Sequence, residues 1–519
     1  MTADKQTVVF VAFQEQPNLG VGYLGSVLVK AGYRIQILDF QLEREEILTS
    51  ILECNPILVG FSVIFQYHIE KFNSLITYLR KQGVECHFTC GGHYPSLRPN
   101  LLFNAIPLMD SITLFEGEHT CLELVQKLEK NQNWKTIDGI AYSESKGLVR
   151  NPLRPLEENL DTFPPPLRPP LKEFVAGRKY ATILAGRGCV YNCSFCSIRQ
   201  FYSAPPGSIK RVRQPEMVVR EIELLHQQKD CSIFMFQDDD FPVAKPHGPT
   251  WAIDFCKLLR EKNLAEKINW KINCRPDEID PDLFTEMKQC GLFLVYLGIE
   301  SGIDEGLTYM NKRVNTSTVH KAVNTLKDLD IIYDYGFMLF DPTTTFDAIS
   351  RNLDFLEAII ADGSSPINFG KMRPYAETRI ETELKAQGRL KGRQGFEDYR
   401  FIDEPVNDLY HTVIEAMEEW IGSNSGITNV AKWTRYCQYL RDNNFSENLE
   451  DTDLKEQTTA IIAKSNRFAI NLIRELSNGY QHQTLSPTKA REICLEAHGV
   501  QSHYSSQLHE ILSSLQSQP

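Results

Sequence analysis

Three cysteines lie close together in the segment GRGCVYNCSFC at residues 186–196: Cys189, Cys193 and Cys196. A disulfide needs two thiols, and a structural zinc site usually needs four ligands close together. The next cysteine along the chain, Cys231, lies in an apolar stretch typical of a strand. Three thiolates instead suit a 4Fe–4S cluster whose fourth iron stays open to a substrate or cosubstrate. The spacing therefore indicates an iron–sulfur site, with zinc binding or a chance group of buried thiols as the alternatives.

The other ten cysteines are scattered singly through apolar or helical stretches, as at Cys54, Cys256 and Cys437. In a reducing compartment this number of thiols does not indicate a disulfide framework, so we expect small buried apolar residues. The first residues, MTADKQTVVFVAF, lack the basic flank and long apolar run of a signal peptide. The longest apolar stretches fall well short of the ~20 residues of a membrane span. We therefore expect a cytoplasmic protein with no membrane partner.

Charge is unevenly distributed along the chain. The net charge is −12, which disfavours general nucleic-acid binding. Residues 174–215, which surround the three cysteines, nevertheless contain no acidic residue. The basic residues of this segment are Arg178, Lys179, Arg187, Arg199, Lys210, Arg211 and Arg213. The segment indicates a solvated basic face, an RNA-binding patch, or cations that offset an anionic group held by the cysteine loop.

The elements that must position the cysteines begin with alternating strands and helices in the first third of the chain. The segments between the strands carry apolar residues at helical spacing and end in glycine. Short β-branched runs predict buried parallel strands at 8–13, 34–40, 57–63, 85–90 and 111–115. This pattern is typical of a Rossmann-like, doubly wound α/β domain, which we place at residues 1–150. In such sheets, ligands bind beyond the carboxyl ends of the strands.

A Pro-rich connector follows at residues 151–175, and we expect it to be a stiff, extended linker. A second strand–helix series occupies residues 176–385, and the three cysteines follow its first strand. Its strands are predicted at 180–186, 232–238, 268–274, 292–299, 334–340 and 367–372. These units predict a partial (β/α)6 barrel with its chemistry at the carboxyl ends of the strands. Residues 386–519 have helical periodicity and predict a C-terminal helical region.

The pattern C-x-x-x-C-x-aromatic-C after a first barrel strand resembles the signature of the radical S-adenosylmethionine (SAM) superfamily. The resemblance implies that Cys189, Cys193 and Cys196 hold a 4Fe–4S cluster whose open iron binds SAM. Further stretches match in order, namely FQDDDF at 236–241, CRPDEI at 274–279 and LGIESGIDEGLTYMNK at 297–312. By this resemblance the residues that bind SAM are Phe195, which would pack near the adenine, and Asp238, Asp239, Arg275 and Glu300.

A doubly wound domain directly before such a core resembles the cobalamin-binding domain of the cobalamin-dependent radical SAM family. The resemblance places the cobalamin contacts at Leu19, Gly20, Ser62, Gly91, Gly92, Glu116 and Gly117. Glycine suits positions where the backbone must approach a bulky ligand. The D-x-H-x-x-G motif, which supplies a histidine below cobalt in other cobalamin proteins, is missing, and His93 lies in a different motif. We therefore expect no protein histidine on cobalt. A related interaction domain that has lost its cofactor is the alternative.

The resemblance implies a cobalamin-dependent radical SAM enzyme whose cofactors are a 4Fe–4S cluster, SAM and cobalamin. The expected activity is methyl transfer to an unactivated carbon, or to a phosphinate phosphorus, of a small-molecule or biosynthetic-intermediate substrate. A low-potential flavodoxin or ferredoxin would supply electrons. One alternative is a rearrangement or oxidative cyclisation on the same cofactors without net methylation. An alternative of another class is a non-catalytic iron–sulfur or zinc protein that binds RNA.

Overall fold

The computed structural model describes residues 6–14, 18–175, 177–244, 248–393, 395–442 and 452–517. The strands of its first sheet are β1 (Thr7–Ala12), β2 (Arg34–Asp39), β3 (Leu58–Ser62), β4 (His87–Gly91), β5 (Ser111–Thr113), β6 (Ile140–Glu144) and β7 (Gly147–Arg150). The helices that accompany them are α1 (Leu19–Lys30), α2 (Arg44–Cys54), α3 (Ile69–Lys81), α4 (His93–Leu97), α5 (Pro99–Ala105) and α6 (Glu118–Glu129). The strand order is β2-β1-β3-β4-β5-β6-β7.

The parallel part of the first sheet is buried between two layers of helices. Strands β1 to β5 are parallel to one another. Successive residues of β1 face opposite layers: Val8 and Phe10 pack with α1 and α6, whereas Val9 and Val11 pack with α3 and α5. This two-sided burial confirms the predicted doubly wound domain. The antiparallel hairpin of β6 and β7, which the sequence prediction omits, extends one edge of the sheet.

The Pro-rich segment lies against the first domain. We call residues 151–171 the strap. Its Leu160 and Phe163 pack against α1, and the N–H of Leu167 donates a hydrogen bond to the Gly22 carbonyl oxygen at 3.0 Å. A Cβ on Gly22 would lie 2.5 Å from the Leu167 carbonyl oxygen, so α1 needs glycine where the strap crosses it. The connector is therefore extended, as predicted, but it is packed along its length rather than free.

The second sheet forms an open half-barrel. The strands of this part of the chain are β8 (Glu173–Val175), β9 (Arg178–Ile183), β10 (Gly186–Arg187), β11 (Arg211–Val212), β12 (Cys231–Phe236), β13 (Asn269–Cys274), β14 (Leu292–Glu300) and β15 (Ile332–Phe337). The helices are α7 (Ile198–Ser203), α8 (Pro215–Lys229), α9 (Gly248–Glu261), α10 (Pro281–Gln289), α11 (Asp304–Tyr309), α12 (Thr316–Asp328) and α13 (Phe346–Ile360). The sheet order is β15-β14-β13-β12-β9-β8, and β10 pairs with β11 separately.

The predicted sixth barrel strand, at 367–372, does not form a strand. This segment makes one isolated parallel bridge, between Phe340 and Lys371. Gly370 and Met372 donate backbone hydrogen bonds to the carbonyl oxygens of Phe337 and Phe340, at 2.9 and 2.8 Å, but at the start of the segment side chains take over the groups that a strand ladder would use. The Asn368 amide donates to the Tyr335 carbonyl oxygen at 2.9 Å, and the N–H of Ile367 donates to the Asn466 side chain at 2.7 Å. The barrel sheet therefore has five parallel strands, β9 and β12 to β15, with antiparallel β8 at its edge.

The C-terminal helices close the amino-terminal end of the barrel. Helix α14 (Arg379–Ala386) precedes a hairpin of β16 (Leu390–Arg393) and β17 (Phe396–Tyr399), which the sequence prediction omits. The remaining helices are α15 (Glu404–Gly422), α16 (Ile427–Asp442), α17 (Thr452–Gln481) and α18 (Pro487–Ser517). Tyr436 of α16 and Ile511 of α18 pack with Phe293 and Ile332, near the starts of β14 and β15. In the described ranges, no helix combines the length and apolarity that a membrane crossing requires.

Asn466 of α17 is expected to be a main anchor of these helices. Its Oδ1 accepts from the N–H of Ile367 at 2.7 Å, and its Nδ2 donates to the carbonyl oxygens of Ile360 and Ser365, each at 2.9 Å. Because Asn466→Ala leaves these buried groups without partners, we expect it to lower the free energy of unfolding by about 3 kcal/mol in urea denaturation followed by circular dichroism. The exposed neighbour Arg467 offers a control: Arg467→Ala should change that free energy by less than about 0.5 kcal/mol. Equal losses in the two variants would contradict the assignment.

Candidate active site

The cysteine loop follows β9 and β10, at the carboxyl end of the barrel. Gly188 has a φ of +81°, and a Cβ there would lie 1.8 Å from the Ile209 carbonyl oxygen, so the loop requires glycine directly before Cys189. Ser194 fixes the other half of the loop. Its N–H donates to the Met310 carbonyl oxygen and its hydroxyl to that of Tyr309, each at 2.9 Å. The loop is therefore held on both sides of its cysteines.

As whole residues, the three cysteines of this loop are partly exposed. Burial raises the pKa of Cys189 and of Cys196 to about 12. The N–H groups of Tyr191 and Ile198 donate hydrogen bonds to these two sulfurs and partly offset the rise. In the described part of the chain, no three His, Cys, Asp or Glu side chains are grouped as ligands for one metal ion. A 4Fe–4S cluster takes each thiolate on a different iron. Three thiols on one loop, with backbone donors at two of the sulfurs, fit that donor set.

The acidic residues after β12 hold the start of the cysteine loop. The two carboxylate oxygens of Asp238 accept hydrogen bonds from the N–H groups of Gly186 and Ala185, at 2.6 and 3.0 Å. Asp239 accepts from the N–H of Gly188 at 3.0 Å. Asp238 is 2% exposed, so a contact with SAM would have to compete with two backbone donors. The structure thus gives Asp238 a positioning role, and a SAM contact by either residue stays a prediction.

Arg275 and Glu300 lie on the opposite side of the loop, after β13 and at the end of β14. The Arg275 guanidinium lies 3.8 Å from the Cys193 sulfur. Glu300, with a φ of +71°, lies 3.8 Å from the ammonium of Lys312. Burial raises the pKa of Cys193, while Lys312 and Arg275 lower it. Lys312 was not among the predicted site residues, although it ends the matched stretch LGIESGIDEGLTYMNK.

Phe195, the aromatic residue predicted beside the adenine of SAM, is partly buried and packs against the barrel core. It lies in the cysteine loop between Ser194 and Cys196. Of the other predicted SAM residues, Asp239 bonds to Gly188 and Arg275 lies beside Cys193. Arg275 also donates to both oxygens of Asp277 and to the Lys312 carbonyl oxygen. The contacts of these side chains with SAM stay predictions.

A cavity of about 710 Å³ lies between the carboxyl ends of the first sheet and the mouth of the barrel. Its volume is in the range of ligand pockets. On the barrel side, Arg187, Gln237 and Asp239 contribute to its wall. All the residues predicted to contact cobalamin line it: Leu19, Gly20, Ser62, Gly91, Gly92, Glu116 and Gly117. Of the five residues predicted to bind SAM, Asp239 lines this cavity as well. Asp239 thus connects the cavity to the cysteine loop, and the contacts with both cofactors stay predictions.

Some glycines of this wall are required by the protein itself. Gly92 has a φ of +117°, and a Cβ there would lie 2.5 Å from the Val63 carbonyl oxygen. A Cβ on Gly91 would lie 3.2 Å from the Thr113 carbonyl oxygen. The left-handed backbone already requires glycine at position 92, whereas the contact at Gly91 is tight without being prohibitive. The expectation that these glycines also serve the approach of a bulky ligand stays a prediction. Gly20 has its nearest neighbour at 3.4 Å and so has more room.

His93, which the sequence reasoning set aside, also lies in the cavity wall. Its ring stacks on Phe201, with 4.2 Å between the centroids. Burial lowers the pKa of His93 to about 4, so the imidazole is neutral at pH 7. Its Nε2 is buried and has no hydrogen-bond partner among the described residues. The ring would therefore have to turn before Nε2 could meet a cofactor. The glycine pair directly before it is the signal that could have drawn attention to this residue.

Buried ion pairs join the first domain to the β10–β11 pair beside the cavity, and we call them the interdomain clamp. Arg187 donates to Glu116 at 3.2 Å and to Glu118 at 2.7 Å. Arg211 donates to both oxygens of Glu116 at 2.8 Å. At most 11% of any of these side chains is exposed. Glu116 thus lines the cavity with its carboxylate fully engaged by arginines.

The clamp corrects the interpretation of the acid-free segment. Arg213 is also buried and pairs with Glu221 at 2.7 Å, and Arg178 donates to the Asn269 side chain at 2.8 Å. Arg178, Arg187, Arg211 and Arg213 therefore point into the protein and bind groups from other segments. They form neither a solvated basic face nor an RNA-binding patch. Lys210, Arg275 and Lys312 lie near the thiols of the cysteine loop, and Arg199 donates to the Val190 carbonyl oxygen of the same loop.

The same two-part organisation appears in comparisons with known proteins. Residues 5–125 match the family model described as the B12 binding domain, and residues 183–356 match that of the Radical SAM superfamily. The chain is a cobalamin-dependent radical SAM enzyme. The matched domains confirm the predicted fold class, and they imply the predicted cofactors: a 4Fe–4S cluster, SAM and cobalamin.

Three similar proteins illustrate the range of this family. An uncharacterized methyltransferase of Pyrococcus horikoshii is 28% identical over 411 residues, which cover 78% of this chain and 85% of the relative. An anaerobic magnesium-protoporphyrin IX monomethyl ester cyclase of Rubrivivax gelatinosus is 28% identical over 343 residues, 62% of this chain and 59% of that enzyme. The structure of the cobalamin-dependent SAM radical enzyme OxsB, with aqua-cobalamin and SAM bound, covers 99% of this chain and 84% of its own. Its TM-score is 0.74 and its identity 16%, a likeness of fold.

Breaking the interdomain clamp should destabilise this radical SAM enzyme strongly. Arg187→Met leaves the buried carboxylates of Glu116 and Glu118 with less counter-charge, so we expect urea denaturation to show a loss of about 3–5 kcal/mol. The matched control is Lys179→Met, because Lys179 lies 3.9 Å from Asp230 and its side chain is 42% exposed. That variant should lose less than about 1 kcal/mol. Similar losses in both variants would show that the clamp has no special role.

Proposed function

We propose that this cobalamin-dependent radical SAM enzyme is a methyltransferase that acts on an unactivated carbon, or a phosphinate phosphorus, of a small-molecule substrate. The observation that carries the proposal is the cavity shared by the two sheets. Residues from the carboxyl ends of both sheets line it, and Asp239 of its wall bonds directly to the cysteine loop. A substrate in this cavity would contact groups of both domains, as a transfer between two cofactors requires.

We assign the cluster to Cys189, Cys193 and Cys196, and SAM to the side of the loop formed by Phe195, Asp239, Arg275 and Glu300. When bound, the cluster and SAM supply a 5′-deoxyadenosyl radical, and cobalamin supplies a carrier for the methyl group. Arg275 and Lys312 offset the negative charge that thiolates bring to the loop. Asp238 holds the loop through Ala185 and Gly186. The cobalamin contacts are assigned to the predicted residues of the cavity wall.

The electron donor is proposed to be a low-potential flavodoxin or ferredoxin. The cysteine loop supports this proposal because it reaches the protein surface: Val190, the residue after Cys189, is 51% exposed. An exposed apolar residue beside the cluster ligands lets a partner protein approach closely enough for electron transfer. The Arg199 side chain donates to the Val190 carbonyl oxygen at 2.8 Å, so a cation lies at the same place.

A second candidate function is an oxidative cyclisation or rearrangement without net methylation. It is favoured by the relative from Rubrivivax gelatinosus, whose name is that of a cyclase, whereas the name of the Pyrococcus relative is that of a methyltransferase. Both reactions would use the same cavity and the same cofactors. The products formed from SAM distinguish them.

The first test of the proposed function concerns iron. After anaerobic reconstitution we expect about four irons per chain, measured together with the visible absorption of the cluster. Replacing Cys189, Cys193 or Cys196 by Ala should abolish the cluster absorption, because each thiolate binds its own iron. The controls are Cys54→Ala and Cys437→Ala, which should keep the full iron content. Normal iron loading in the variant that lacks all three loop cysteines would refute the assignment.

The second test separates methyl transfer from the alternative and needs no substrate. In a methyltransferase of this kind, the methyl group of SAM must pass to its carrier, the bound cobalamin, before the substrate reacts. The reduced enzyme with SAM alone should therefore form S-adenosylhomocysteine. The amount should follow the bound cobalamin, and protein without cobalamin should form none. Only slow, uncoupled 5′-deoxyadenosine should accompany it, and this product should vanish when the three loop cysteines are replaced. Production of 5′-deoxyadenosine without S-adenosylhomocysteine, with cobalamin bound and reduced, would favour the cyclisation.

A further inference from the structure

The inner face of the half-barrel contains polar, partly exposed side chains where a packed core would be apolar. On β13, Trp270 and Ile272 face the outer helices and are fully buried, whereas Lys271 and Asn273 between them are partly exposed. On the neighbouring β14, Tyr296 is 39% exposed although the strand is central in the sheet. Because side chains alternate between the two faces of a strand, these residues share the inner face and border open space within the barrel.

This inner space is close to the cavity that joins the two sheets. Lys271 pairs in register with Met235 of β12. Gln237, two residues further along the chain, lines the cavity, so Lys271 lies about 7 Å from the cavity wall measured along the strand. At the other end of the barrel, Tyr436 and Ile511 fill the inner face. A molecule in the cavity could therefore extend one end toward Lys271.

Lys271 is a cation without an anionic partner. Its ammonium donates a hydrogen bond to the neutral side chain of Asn273. No carboxylate of the described chain lies within ion-pair distance of it. An ammonium that is mostly removed from water and has no counter-ion is costly. Accordingly, burial lowers the pKa of Lys271 to about 8, although Asp334 and Asp238 act in the opposite direction.

The carboxylates nearest to Lys271 are bound elsewhere. One oxygen of Asp334 accepts a hydrogen bond from the Tyr436 hydroxyl. Its other oxygen lies 3.9 Å from the Arg435 guanidinium and has no hydrogen-bond partner among the described residues. Asp238 accepts from two backbone N–H groups, and Glu300 faces Lys312. Lys271 is thus a cation that makes no ion pair, although Asp334 and Asp238 act on it at longer range, in a place that a ligand can reach.

Tyr296 supplies a second donor beside Lys271. The Lys271 ammonium lies 5.9 Å from the centre of the Tyr296 ring. Within the described ranges, the Tyr296 hydroxyl has no hydrogen-bond partner. Space for this hydroxyl is left by Gly336 of β15, where a Cβ would lie 2.8 Å from it. The hydroxyl thus leans toward β15, where a Glu300 oxygen lies 3.2 Å from the same Cβ position, while Lys271 approaches the ring from β13. An anion that lies across the Tyr296 ring could accept hydrogen bonds from both groups.

We propose that Lys271 and Tyr296 form an anion subsite inside the barrel, which binds a carboxylate or phosphate group of the substrate. This inference rests on the proposed function in so far as the substrate occupies the adjoining cavity. An anionic group there would supply the missing counter-charge of Lys271, whereas a neutral group would leave the ammonium uncompensated. The subsite would anchor the far end of the substrate and leave its reacting atom in the cavity between the two sheets.

The test measures the reactivity of Lys271 toward acetic anhydride at pH 8 in the full-length enzyme, by mass spectrometry of its peptide. The probes are inorganic pyrophosphate and benzoate, with benzamide as the neutral match of benzoate. A bound anion should raise the pKa of Lys271, so the reactive free amine, and the labelling rate, should fall about fivefold. Protection by pyrophosphate alone would indicate a phosphate group, and protection by benzoate alone a carboxylate. Lys312, which is paired, and Lys391, which is exposed, should not change.

Two variants examine the second donor. Tyr296→Phe removes only the hydroxyl, so the anion concentration that protects Lys271 should rise about tenfold. Tyr333→Phe is the matched control, because Tyr333 lies on the outer face of β15 and its hydroxyl bonds to the Ile359 carbonyl oxygen; it should leave the protection unchanged. The proposal is wrong if neither anion protects Lys271, or if benzamide protects it as well as benzoate does.

Failure of the subsite can be told from failure of the proposed function. Formation of S-adenosylhomocysteine is measured on the same preparation of wild-type enzyme. If that product forms while Lys271 stays unprotected, the anion subsite is wrong and methyl transfer stands. If Lys271 is protected while only 5′-deoxyadenosine forms, the subsite stands and the methyltransferase proposal is wrong.

Discussion

Two arginines from the barrel side and two glutamates from the first sheet form the buried contact on which the site depends. Arg187 and Arg211 neutralise Glu116 and Glu118 where water has little access, so each charge needs its partner. Arg187 also lies over the rings of Tyr23 and Phe163, 4.9 and 5.4 Å from their centres. It precedes Cys189 by two residues. One side chain therefore links the first domain, the strap and the cysteine loop at the wall of the cavity.

The cysteine loop obtains its shape from bonds that involve no thiol. Asp238 and Asp239 bind backbone N–H groups just before Cys189. Ser194 binds the backbone near Tyr309 and Met310. Residues of a sequence motif that surrounds a cofactor can thus serve to orient the loop rather than to touch the ligand. This division leaves the three thiols available as ligands while other residues hold the backbone of the loop.

The sequence predicts those parts of the molecule in which the signal is local or periodic. Buried parallel strands show as short β-branched runs, and the three cysteines show by their spacing. The predicted sixth strand is interrupted at its start, where the side chains of Asn368 and Asn466 bond to the backbone. Asn466 lies far along the chain, so strand propensity at 367–372 cannot reveal this. The ion-pair partners of Arg187 and Arg211 cannot be predicted either, because they are more than sixty residues away in sequence. Long-range polar pairing of this kind leaves no periodic trace.

The strap has a consequence for modularity. It covers the side of α1 that carries Leu19, Tyr23 and Val27, and Leu167 rests on glycines of that helix. A first domain cut at residue 150 would expose this apolar face, whereas one that ends after the strap would keep it covered. Exchange of corrin-binding domains between relatives would therefore have to carry the strap along. The Pro-rich segment is therefore structurally a part of the first domain, although in the sequence it lies where a hinge between the two domains would be expected.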